Sequence, residues 1–111
     1  MIDTFINKTD DEIIVRLVGH ANYNPGNDVV CAAVSSLVCA FANAAKNSKH
    51  VFDIDCLSIE SGDVYIKIRV TEAFVPALEM FILGLMSIRE AHPQKIKINQ
   101  NYFALPTADK Q

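Results

Sequence analysis

"EIIVRLVGHANYNPGNDVVCAAVSSLVCAFANAAKNS", residues 12–48, changes periodicity halfway along, and that change decides the fold. Its first part, "EIIVRLVG", is dense in branched apolar residues and stops at a glycine, which is how a strand reads. "NYNPGN" is turn chemistry, with proline and glycine flanked by asparagines. From Asp28 to about Ser48 the chain is alanine-rich, and Val30, Val34, Leu37, Phe41 and Ala45 recur at helical spacing. Asp28 is a residue type that caps helix N-termini. The stretch therefore reads as strand, loop and a long, mostly buried helix.

On the N-terminal side, "IDTFINKT" reads as a partner strand across a turn at Asp10 and Asp11. After the helix, "HVFDIDCLSIE" alternates so that Phe52, Ile54 and Cys56 share one face. Beyond a turn at Ser61-Gly62-Asp63, Val64, Ile66, Ile68 and Val70 alternate again, giving a second hairpin. "AFVPALEMFILGLMSIREAH" is a second helix, with Pro76 in its first turn and Pro93 just past its end. "KIKIN" closes the pattern as a short strand suited to a sheet edge, with lysines on one side. The order strand-strand-helix-strand-strand-helix-strand predicts an α+β domain, two main helices on a largely antiparallel sheet. The pattern leaves the strand order open. The domain is expected over residues 1–100, with 101–111 as a flexible C-terminal tail.

The second helix carries more apolar surface than one sheet can cover. Phe74, Leu78, Phe81, Leu85 and Ile88 form one stripe, and Met80, Leu83 and Met86 lie well around from it. A homodimer through this helix and the sheet is the expected use.

The 111 residues suffice for one domain, and half of them are hydrophobic, the balance of a compact chain rather than a disordered one. A net charge of -3 argues against direct nucleic-acid binding, which needs clustered lysine and arginine. No basic segment followed by an apolar one opens the sequence, and no apolar run reads as membrane-spanning, so a cytoplasmic protein with no membrane partner is expected. Cys31, Cys39 and Cys56 are an odd set without CxxC spacing, which points away from a disulfide framework or a zinc site. Cys39 and Cys56 are expected in the core, as small hydrophobes. His50, His92 and the pair Asp53 and Asp55 read as solvated or capping residues.

Cys31 is different. With Asp28 as cap it is the third helical residue, where unpaired amides and the positive end of the helix dipole favour a thiolate. First-turn amides could also stabilise an oxyanion, although a capping Asp28 would occupy one and leave loop amides as alternative donors. His20 leaves the end of the preceding strand, and the 21–27 loop is long enough to bring it back to the thiol as a general base. Asp28 could instead orient the imidazole, and Ser35, one turn beyond Cys31, could hydrogen-bond within the site. The Pro25-Gly26 loop reads either as a lid or as a plain connector. Metal ligation by His20, Asp28 and Cys31 lacks a fourth ligand. A redox-responsive thiol lacks a resolving partner, because Cys39 lies two turns away.

"GHA", a variable loop, then "GNDVVCAAVS" resembles the signature of the ribosomal-processing cysteine proteases, the Prp family, at Gly19, His20, Ala21, Gly26, Asp28, Cys31, Ala32 and Ser35. The resemblance implies a cysteine endopeptidase with Cys31 as nucleophile and His20 as base, supported by Gly19, Ala21, Gly26, Asp28 and Ser35. It implies a homodimer that needs neither metal nor cofactor. Its substrate would be the precursor of the twenty-seventh protein of the large ribosomal subunit, which loses an N-terminal extension. The alternative is a non-catalytic ribosome-assembly factor that grips the same extension. In the tail, Phe103-Ala104 loosely resembles the aromatic-then-small step at which the family cuts.

Overall fold

The computed structural model describes residues 1–20 and 28–104. Strands β1 (Ile2–Thr9) and β2 (Glu12–Val18) form the first hairpin, and helix α1 (Val29–Asn47) follows the loop. Strands β3 (Val51–Glu60) and β4 (Asp63–Val70) form the second hairpin. A 3-10 turn (Glu72–Phe74) then leads into helix α2 (Val75–Ala91), and β5 (Ile96–Gln100) ends the fold. This is the α+β order read from the sequence.

The sheet runs β3-β4-β2-β1-β5, antiparallel throughout except for the β1–β5 pair. Alternation decides what it buries: Ile13, Val15 and Leu17 of β2 and Val64, Ile66, Ile68 and Val70 of β4 point to one face. Both helices pack there. Helix α1 contributes Val30, Val34, Val38, Phe41, Ala42 and Ala45, and α2 contributes Leu78, Phe81, Ile82 and Leu85. Phe41 joins the two helices, stacked on Phe81 with ring centroids 4.7 Å apart and edge-on to Phe74 at 5.7 Å.

The molecule is thus a two-layer slab, 39 × 37 × 16 Å, and among the described residues no helix packs on the other sheet face. Charges cover that face. Arg69 bonds Asp11 at 3.0 Å and lies 3.6 Å from Glu12, Lys67 lies 3.7 Å from Glu12, and Arg16 lies 3.3 Å from Asp63 and over the Tyr65 ring. The Asp53 carboxyl is raised above its ordinary range by a hydrogen bond with Asp55 and by that neighbour's charge.

Four expectations change. Strand β3 does not bury Phe52, Ile54 and Cys56 on one face, because irregularities between Val51 and Asp53 and between Ile54 and Cys56 shift its phase. Ile54 pairs with the core-facing Ile68, but Cys56 pairs with Lys67 on the charged face, and Phe52 is 58% exposed. Cys56 is therefore half-buried at the charged face, and Cys39 is exposed; neither is a core residue. Helix α1 does have the length and apolar composition of a membrane span, a property it shares with core helices, and here its apolar stripe packs on the sheet.

The fourth concerns only the start of the tail, where residues 101–103 are held; residues 105–111 lie outside the described residues. Lys8 and Asn101 exchange two hydrogen bonds, Tyr102 donates its phenol to Glu79 at 2.8 Å, and the Gln100 side chain accepts the N–H groups of Tyr102 and Phe103. Tyr102 and Phe103 meet edge to face and both pack against the core, which ties Phe103 to its own domain.

Candidate active site

The site forms where β2 ends beside the start of β4. In the antiparallel ladder Val18 faces Asp63, so the residues that follow β2 lie against the residues that precede β4. Gly19 donates its N–H to the Gly62 carbonyl at 2.9 Å and leaves the strand at φ +107°, a conformation that favours glycine. A Cβ at Gly19 would also strike the Met1 carbonyl oxygen. The chain bends there and delivers His20, whose carbonyl accepts the Met1 ammonium at 2.7 Å.

The His20 ring lies over Gly62. A Cβ at that glycine would collide with Nε2 and stand 2.9 Å from Cε1 and 3.1 Å from Cδ2. Gly62 is the second residue of the β3–β4 turn, at φ +75°.

On the opposite side α1 begins. Asp28 has extended backbone angles and its Oδ1 accepts the Cys31 N–H at 2.9 Å, so it caps the helix as expected of its type. Cys31 is half-buried in the first turn. Ser35 and Cys39 follow it at intervals of four, stacking the three side chains along one helix face.

These two sides enclose a cavity of about 160 Å³. His20, Cys31, Ser35 and Cys39 all line it, with Leu17, Val34, Val38 and Val64 as its apolar floor. Glu60 and Asp63, at the ends of β3 and β4, also line it, the Asp63 carboxylate turning to the charged face to pair with Arg16.

The structure thus brings His20, Cys31, Ser35 and Gly19 to one cavity and places Asp28 at the start of the helix that carries Cys31. Ala21 and Gly26, with the rest of the 21–27 loop that reads as either a lid or a connector, lie outside the described residues. Sequence reasoning missed Gly62 and Cys39. Gly62 was explained by the turn alone, and only the β2–β4 pairing reveals what rests on it. Cys39 follows Cys31 at twice the four-residue spacing, a signal that was legible but was assigned to the core.

A thiol in the first turn of a helix, an imidazole across a small cavity and a partly apolar floor form the equipment of nucleophilic acyl transfer. Known proteins agree. The family model described as cysteine protease Prp matches residues 1–97. Two solved structures of the essential ribosomal processing protease Prp from S. aureus are similar. One holds a covalently linked product peptide (23% identity, TM-score 0.69) and the other a substrate peptide (22%, 0.67); each covers 91% of this chain and 100% of its own. A Streptococcus mutans protein is 26% identical over 90% of this chain and 93% of its own, with a TM-score of 0.69. None of the curated proteins matches the sequence.

Proposed function

The chain belongs to the cysteine protease Prp family, and from that premise we propose that it is a ribosomal-processing endopeptidase in which Cys31 attacks and His20 moves the proton. The observation that carries this reading is the shared cavity: a helix-start thiol and an imidazole, from elements separated by a loop, face the same small volume.

In this reading His20 takes the thiol proton, and the Cys31 sulfur attacks the scissile carbonyl carbon. The tetrahedral oxyanion collapses as the imidazolium protonates the departing amine, leaving a thioester. Water, deprotonated by His20, then attacks the thioester, releases the new carboxyl terminus and returns the thiol. Because Asp28 occupies the Cys31 amide, the oxyanion falls to other donors. Ser35 lies one turn along the nucleophile's face and is placed to hydrogen-bond within the cavity.

The substrate we assign is the precursor of the twenty-seventh protein of the large ribosomal subunit, which would lose a short N-terminal extension. The net charge of -3 supports a basic peptide. The working form is a homodimer through α2, whose Met80 and Leu83 are 74% and 51% exposed.

Mass spectrometry of that precursor, after incubation with wild type, Cys31→Ala or His20→Ala, tests the reading. Loss of the extension with wild type only is expected. Cleavage near the wild-type rate by either variant would remove that residue from the mechanism, and an intact precursor bound by all three would make the protein an assembly factor.

A further inference from the structure

Gly62 has two reasons to be glycine, and only one concerns the backbone. Its φ of +75° suits the turn, yet the other hairpin turns at a positive φ with an aspartate, Asp10 at +46°. The second reason is spatial: Nε2 of His20 would collide with a Cβ at residue 62, with Cε1 and Cδ2 close behind at 2.9 and 3.1 Å. Gly62 also lines the cavity and anchors the bend before His20 through its carbonyl.

We infer that Gly62 is a positioning residue for the reaction: its bare Cα is the seat on which the His20 imidazole rests, facing the cavity it shares with Cys31. This rests on the dyad reading above. The atoms a Cβ meets are the far end of one side chain, not backbone, so the fold can absorb the intrusion by moving the ring. Relief of such an overlap needs about 1 Å of movement, a displacement of the size that costs about a hundredfold in rate when a proton must pass between aligned groups. The hairpin that holds Gly62 is thereby part of the proton-transfer geometry, although it supplies no reacting atom.

The test measures kcat and KM on a peptide carrying the cleavage site, for wild type, Gly62→Ala, Gly62→Asn, His20→Ala and Asp10→Ala. Asparagine tolerates positive φ but still carries a Cβ, so Gly62→Asn separates backbone strain from the collision. Both Gly62 variants are expected to lose about a hundredfold in kcat with KM within about threefold, and to move the His20 ring signal in a spectrum of histidine-labelled protein. Gly62→Asn should melt closer to wild type than Gly62→Ala, and Asp10→Ala should keep wild-type kcat. Full kcat in Gly62→Asn would reduce the glycine to a turn residue and overturn the inference. Wild-type kcat in His20→Ala would overturn the dyad reading as well, whereas an inert His20→Ala beside fully active Gly62 variants would sink the seat alone.

Discussion

Asp28 Oδ1 accepts the main-chain N–H of Cys31 at 2.9 Å, so the carboxylate that starts α1 bonds the very residue read as the nucleophile. The cap thereby fixes the backbone from which the thiol projects. Asp28→Ala should lower stability by about 1 kcal/mol, the usual cost of a lost cap, while Asp28→Asn should stay within a few tenths. Urea midpoints at unchanged slope measure both. Equal losses in the two variants would show that the cap does not depend on an accepting oxygen.

Met80 and Leu83 stand on the outer face of α2, beside a shallow apolar groove of about 110 Å³ between the helices. The single chain weighs 12.3 kDa. Light scattering should give twice that mass for wild type, and a value near the single-chain mass for Met80→Glu combined with Leu83→Glu. A wild type at the single-chain mass would leave this face without its proposed partner.

Thr4 lies in β1 between β2 and β5, is completely buried, and its hydroxyl has no hydrogen-bond partner among the described residues. Valine has nearly the same shape and nothing to desolvate. Thr4→Val should raise stability by about 1 kcal/mol, a rise of a few degrees in thermal midpoint for a domain of this size. A lower midpoint would mean that the hydroxyl is satisfied in solution.

The Tyr102 phenol donates to Glu79, and that bond, then burial and the carboxylate's charge, push its pKa above the ordinary 10.0. A phenol raised on folding contributes stability below the unfolded value and loses it as pH rises through the folded one. The ultraviolet titration of Tyr102 should therefore run above 10.0, and Glu79→Gln should bring it down. Protease sensitivity of the chain end should increase over the same alkaline range in wild type. A titration indifferent to Glu79→Gln would show that the bond does not persist in solution.

How far the sequence could be read follows from the range of each signal. Strand β4 was legible because Val64, Ile66, Ile68 and Val70 alternate without interruption, and α1 because Asp28 and its apolar spacing agree. The interior strand needs no special geometry. Strand β3, at the edge, has two irregularities, and each shifts which residue faces the core, so alternation put Cys56 on the wrong side. Of the site, His20 and Cys31 stood out through their positions at element ends. The neighbourhood of Gly62 did not, because it depends on β4 pairing with β2 rather than with β1, and local patterns carry no strand order.

The bond from Gly19 to Gly62 also sets a condition on timing. His20 belongs to the first hairpin and its seat to the second, with all of α1 between them in the chain. A growing or partly folded chain can form the first hairpin and the nucleophile's helix while the imidazole has nothing to lean on. With His20 as the proposed base, hydrolytic competence would arrive late, with the closing of the β2–β4 ladder, and incomplete molecules would be chemically quiet toward other unfolded chains around them.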